Sequence, residues 1–146
     1  MNDDGLKGYS IHLVKEWPAR EIQALYQAGG WWDADDDPEM IPRTLHGSFA
    51  VAIAVDEATG KAVGMGRAIS DGASDAYIQD VVVFREYRRF GLGRQLVLTL
   101  ISACRAKGIR WIALVAEPGS LEFYQSLGLK PIAGFVPMRV PDTVEP

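Results

Sequence analysis

The chain has 146 residues, 48% of them hydrophobic and 23% charged, with a formal net charge of −4. That length suits a single domain with one sizeable core, and the composition excludes general disorder. The negative balance gives no overall field for nucleic acid or an anionic membrane, and the single cysteine, Cys104, excludes an intramolecular disulfide and a cysteine-rich zinc site. His12 and His46 lie far apart and form no ligand pair. No apolar run is long enough to span a bilayer, and the acidic start Met1-Asn2-Asp3-Asp4 does not resemble a signal peptide. The expectation is a reduced, cytoplasmic, metal-free protein: one domain over residues 1–146, its core running from about residue 9 to residue 138.

Tyr9 to Val14 predicts a first strand from its β-branched and aromatic residues. Pro18 suits a first helical turn; Ile22, Leu25 and Tyr26 then share one face, and Gly29-Gly30 stops the helix. Trp31-Trp32 and the acidic run Asp33 to Asp37 read as a loop. Pro38 to Leu45 reads as a second short helix that Pro42 interrupts. Phe49 to Val55 predicts a buried strand, Asp56 to Gly60 a turn, and Lys61 to Ser70 the returning strand. After a turn at Asp71 to Ser74, Tyr77 to Phe84 predicts a strong strand, so the middle of the chain reads as an antiparallel meander.

The period then changes. Leu92, Leu96, Val97, Leu100, Ile101 and Cys104 recur at helical spacing, and Gly108 ends that helix. Trp111 to Ala116 predicts a strand, Ser120 to Leu127 a short helix closed by Gly128, and Pro131 to Met138 a last strand. The spacing from Tyr77 to Ala116 suits a parallel crossover.

Between the strong strand and the long helix stands Arg88-Arg89-Phe90-Gly91-Leu92-Gly93-Arg94. A helix N-terminus exposes unpaired N–H groups and carries about half a positive charge. Gly91 and Gly93 let backbone amides approach a phosphate closely, and the arginines add planar, charged donors. Leu96 stands where the dinucleotide fingerprint has its third glycine, and no Gly-Lys-Ser/Thr follows, so neither a Rossmann turn nor a P-loop is favoured.

At this point the sequence resembles the GNAT superfamily of N-acetyltransferases. Its acetyl-CoA motif, Gln/Arg-x-x-Gly-x-Gly/Ala after a hydrophobic strand, is matched by Arg88, Gly91 and Gly93. A second match is Glu122-Phe123-Tyr124-Gln125-Ser126-Leu127-Gly128-Leu129, similar to the family's Phe-Tyr helix. The resemblance implies an α/β (α+β) fold: a mixed, mostly antiparallel sheet of about six to seven strands with about four helices, splayed between the fourth and fifth strands. It implies acetyl-CoA as co-substrate, with pantetheine on the backbone of Val81, Val82 and Val83. Arg88, Arg89, Phe90, Gly91, Leu92, Gly93 and Arg94 would hold the pyrophosphate. Ser120, Phe123 and Tyr124 would complete the cofactor site, and Tyr124 would protonate the departing thiolate.

The general base is less direct. Relatives place Glu or His early on the fourth strand, where this chain has Tyr77 and Gln79. Asp80 is adjacent, but strict alternation points it to the opposite face, and only a β-bulge would reverse that parity. Asp80 is either the base or a structural carboxylate; Glu117 or a water chain are the alternatives. Cys104 falls on the apolar face of its helix and reads as core rather than nucleophile.

In similar enzymes the segment between the first two helices covers the acceptor. Here it holds Trp31 and Trp32 beside Asp33, Asp35, Asp36 and Asp37. Rings and carboxylates together suit an organic cation, so the expected acceptor is a small amine such as an arylalkylamine or polyamine, with Gln79 on the same side. A peptide amine is also a cation, and a solvated acidic loop with one Trp as a lid is the structural alternative. The functional alternatives are a non-catalytic acyl-CoA sensor of the same fold and a nucleotide-phosphate binder of another fold. Ile132 to Val140 could pair with a second copy in a homodimer or lie within one chain.

Overall fold

The computed structural model describes residues 6–143. Contacts divide the chain into two units, the first ending at Leu114 and the second starting at Val115. Among the described residues no helix is long and apolar enough to cross a membrane.

The first unit is built on a five-stranded sheet in the order β1-β2-β3-β4-β5. Its strands are β1 (Tyr9–Val14), β2 (Ala50–Asp56), β3 (Lys61–Ser70), β4 (Asp75–Val83) and β5 (Trp111–Ala113). The first four form the expected antiparallel meander, and β5 returns parallel to β4. Both hairpin turns follow from their residues. Asp56 Oδ1 accepts from the Ala58 N–H, and Asp71 Oδ1 accepts from the N–H groups of Ala73 and Ser74. Such turns offer the chain a local substitute for ladder hydrogen bonds.

Alternation along the strands sorts the two faces. One face of the sheet, with Val51, Ile53, Val55, Met65 and Val82, packs against α1 (Ala19–Ala28) and α2 (Met40–Gly47). Ile22, Leu25, Ile41 and Leu45 fill that layer and are essentially inaccessible to solvent. Pro42 does not interrupt α2 as the sequence suggests. It falls in the first helical turn, where its missing N–H would have had no partner in any case.

The opposite face carries small residues, and α3 (Leu92–Arg105) lies on it. A Cβ on Gly64 would come within 3.0 Å of Val83 Cγ2 and 3.2 Å of Leu96 Cδ1, and one on Gly66 within 3.1 Å of Leu100 Cδ1. These two glycines set how closely α3 approaches the sheet, and with it the position of the helix N-terminus. Leu92, Leu96, Val97, Leu100 and Cys104 are buried on that side. Burial pushes the Cys104 thiol up, which keeps it protonated and agrees with a core role.

The second unit contains α4 (Leu121–Ser126), closed by N–H groups of Leu127, Gly128 and Leu129. The last strand expected over Pro131 to Met138 is not formed: among the described residues that segment has a turn and no ladder. Among the described residues the sheet therefore has five strands rather than six or seven. A strand needs a partner for its backbone, and apolar patterning alone does not supply one.

Candidate active site

β4 and β5 pair over three positions only, Asp75 with Trp111, Ala76 with Ile112 and Tyr77 with Ala113. β4 continues to Val83, so Ile78–Val83 has no strand alongside on that edge among the described residues. The splay is thus produced by a short β5 against a long β4. It leaves the β5-side edge of β4 from Ile78 to Val83 without a ladder among the described residues. Val83 is less open than expected, because its carbonyl already accepts from Arg88 Nε at 3.1 Å.

At the end of β4 a 3-10 helix, Arg85–Tyr87, leads into the glycine turn and α3. Gly91 is the N-cap of α3 with φ 77°, and no side chain caps that terminus. The donors of the first helical turn therefore have no intrahelical acceptor. Arg89 is also left-handed, with φ 83°. For a residue with a side chain this conformation costs about 1–2 kcal/mol. Left-handed residues next to a helix start allow successive N–H groups to face one concavity, which is an anion-binding geometry.

The individual side chains divide between this turn and its support. Arg89 and Arg94 are exposed at the helix start. Arg88 folds back onto Val83, so it fastens the turn to the strand. The Leu92 side chain is core, leaving only its backbone for a ligand. The Phe90 ring packs 5.3 Å from that of Tyr9, and Tyr9 meets Tyr87 at 6.0 Å, which seats the turn on the end of the sheet. Gly91 and Gly93 stand at the turn as expected.

The other irregular feature of β4 is a β-bulge. Met65 pairs with Val82 and Arg67 with Gln79, so Gly66 stands opposite both Asp80 and Val81. Asp80 takes the extra position with φ 56°, a conformation that Asp tolerates better than most side chains. The bulge reverses the parity that strict alternation would impose. Gln79 and Asp80 consequently lie on the same face, toward α1, whereas Val81 faces α3.

On that face Asp80 Oδ2 accepts from Tyr26 Oη at 2.9 Å and from Arg67 Nε at 2.5 Å. Arg67 also donates to Ser48 Oγ and to Gln79 Oε1, each at 3.3 Å. Ser48 is almost fully buried, and its own hydroxyl donates to the Thr44 carbonyl. Every member of this network has a partner, as a polar cluster in a half-buried site requires. Burial first, and then the charge and hydrogen bond of Asp80, push the Tyr26 hydroxyl well above the ordinary tyrosine range. Tyr26 is therefore a fixed donor.

The same Tyr26 ring carries the tryptophans. Trp32 stacks on it at 6.4 Å with an interplanar angle of 23°, and Trp31 meets it edge-on at 6.1 Å. Trp31 also lies over Gly29, where a Cβ would come within 2.7 Å of its ring. Both tryptophans are half-buried against the core. Part of the acidic run is structural: Asp36 Oδ2 accepts from the Asp33 N–H and Asp37 Oδ1 from the Glu39 N–H.

Tyr26 and Arg67 are absent from the sequence-based candidates. Tyr26 is legible there only as a core-facing helical residue. Arg67 had a usable signal, since a lone arginine in the apolar run Ala62 to Ala68 requires a buried partner.

Tyr124 and Phe123 belong to the second unit, where their rings meet edge-on at 4.9 Å. Burial, then the charge of Glu117, raises the Tyr124 hydroxyl above its usual value, so it keeps its proton at neutral pH. Ser120 Oγ donates to the Glu117 carbonyl at 2.7 Å, which occupies its proton in the loop before α4.

A splayed β4 edge running into a glycine turn and an uncapped helix is accompanied by a sequence match to the Acetyltransferase (GNAT) family over residues 11–129. The chain belongs to the GNAT family. An uncharacterized N-acetyltransferase ycf52 of Pyropia yezoensis is 40% identical over 108 residues, covering 74% of this chain and 62% of that protein. Serotonin N-acetyltransferase 2, chloroplastic, of Oryza sativa subsp. japonica is 37% identical over 92 residues, covering 62% of this chain and 46% of that protein. The chain thus spans less than two thirds of these two relatives' length. A GNAT family acetyltransferase of Streptococcus pneumoniae TIGR4 shares the fold with a TM-score of 0.77 at 24% identity, over 93% of this chain and 99% of that one.

Proposed function

We propose that this GNAT chain transfers the acetyl group of acetyl-CoA to the amine of a small organic cation. The observation that carries the reading is the meeting, at one end of β4, of an unpartnered strand edge with an uncapped helix N-terminus. The edge suits the amide groups of pantetheine, and the left-handed turn with the α3 N-terminus suits the pyrophosphate. Exposed Arg89 and Arg94 would add charge there, while Arg88 and Phe90 hold the turn in place.

The acceptor reading rests on the tryptophan pair beside the Asp80 bulge. Aromatic faces attract an ammonium group, and a carboxylate neutralises it. An amine attacks only when neutral, so a proton must first leave it. Asp80 is the proposed acceptor of that proton, through the oxygen not already engaged by Tyr26 and Arg67. The nitrogen then bonds to the thioester carbon, the C–S bond breaks, and the thiolate takes a proton, for which Tyr124 is the proposed donor. A backbone N–H of the β4 edge would stabilise the oxyanion as it develops. The similarity to a serotonin N-acetyltransferase supports an arylalkylamine among the candidate acceptors.

One observation favours a second reading, a non-catalytic acyl-CoA sensor: Oδ2 of the proposed base is committed to Arg67 and Tyr26. Two measurements separate these readings. Thermal-shift titration should show a rise in midpoint with acetyl-CoA and CoA but not with NAD or ATP, because a ligand of the folded state stabilises by mass action. Thiol release with a panel of arylalkylamines and polyamines should then show turnover, lowered by Tyr124→Phe. Stabilisation without turnover would establish the sensor, and no CoA effect would remove both readings.

A further inference from the structure

We propose that Tyr26 is a positioning residue that couples the acceptor-binding tryptophans to the proton acceptor Asp80. The inference rests on the proposed acetyl transfer and goes beyond it, by assigning a role to a side chain that touches neither the cofactor turn nor the leaving group.

Tyr26 is the one residue of α1 that joins both halves of the acceptor side. Its hydroxyl donates to Asp80 Oδ2 at 2.9 Å, while its ring carries Trp32 in a stack and Trp31 edge-on. It is 7% exposed, so its ring cannot turn without disturbing the layer around Ile22, Leu25 and Ile41. From the other side Arg67, on β3, donates to the same oxygen. Two donors on Oδ2 have a chemical consequence. A proton arriving from the amine goes to Oδ1, because the lone pairs of Oδ2 are already engaged. The carboxylate is thereby fixed in rotation at a residue whose backbone is itself held at φ 56°.

The coupling runs in both directions. An aromatic ammonium lying against Trp32 presses on the ring whose hydroxyl orients the carboxylate. Asp80 also cancels the charge of Arg67, which would otherwise repel a cationic acceptor. A purely structural Tyr26 would affect stability and all kinetic constants together. A positioning Tyr26 affects proton removal while leaving the aromatic surface intact.

Tyr26→Phe tests this, since it deletes only the hydroxyl and keeps the ring under the tryptophans. The expected result is a fall in kcat of about tenfold or more, the size associated with a hydrogen bond to a charged group. The KM values for amine and for acetyl-CoA should stay within about twofold of wild type, as expected when an interaction made at the transition state is lost. Trp32→Ala should show the reverse pattern, with amine KM raised more than kcat is lowered. Wild-type turnover with a Tyr26→Phe kcat within about twofold of it would overturn the positioning role while leaving acetyl transfer standing. Equal losses in kcat and both KM values, with a lowered thermal midpoint, would assign Tyr26 to packing and also overturn it. Absence of wild-type turnover on every amine would remove the acetyl-transfer reading and this inference with it.

Discussion

Gly91→Ala isolates the contribution of backbone conformation to the proposed cofactor turn. Gly91 sits at φ 77°, and an added Cβ would meet no atom within 4 Å. The substitution therefore adds no clash, and its cost comes from the left-handed conformation, about 1–2 kcal/mol for an L-residue. If the turn keeps its shape, the free protein is destabilised by about 1–2 kcal/mol. If the free turn relaxes instead, the cost reappears on binding, because the amides must be returned to the anion-binding arrangement. That weakens acetyl-CoA affinity by about 5- to 30-fold. Isothermal titration with acetyl-CoA reads the affinity and a thermal scan reads the stability. Affinity within about twofold of wild type, with an unchanged midpoint, would refute the assignment of the left-handed turn to the cofactor. Arg89→Gly provides the control. It removes a charge while relieving the strain at φ 83°, so a loss of affinity there reports the guanidinium rather than the backbone.

Two further outcomes follow from the scaffold. Gly64→Ala places a Cβ at 3.0 Å from Val83 Cγ2 and 3.1 Å from the Val82 carbonyl oxygen. Overpacking of this kind costs about 1–3 kcal/mol, or about 2–4 °C of midpoint per kcal/mol for a chain of this size, and calorimetry should show it. In the turn between β3 and β4, hydrogen bonds from Ser74 first, and then Ala73, hold the Asp71 carboxyl down from 3.8 to about 2. A depressed carboxylate stabilises the folded state above its unfolded value, and the effect is lost as pH falls through the folded one. The stability gap between wild type and Asp71→Asn should thus be full at neutral pH and close between about pH 4 and about pH 2. A gap that does not change with pH would exclude the charge of Asp71 as its source.

The amino-acid sequence by itself determined the elements whose information is local. The helical period of α3, the meander from Ala50 to Val83 and the turn at Gly91 and Gly93 are written in spacing and in residue type. Pairing decided the rest. Pro131 to Met138 has a strand's composition but no ladder, and β5 stops at Ala113, because neither patterning nor propensity specifies which backbone groups will meet. The bulge is the clearest case. Counting along β4 places Asp80 on the wrong face, and one unpaired residue opposite Gly66 brings it to Tyr26 and Arg67. These three side chains come from positions 26, 67 and 80, and only the packing of α1 across β3 and β4 brings them together. The glycine turn was legible because its backbone geometry is written in consecutive residues, Arg89 to Gly93. The network around Asp80 was only partly legible, because its geometry depends on side chains that tertiary packing alone makes neighbours.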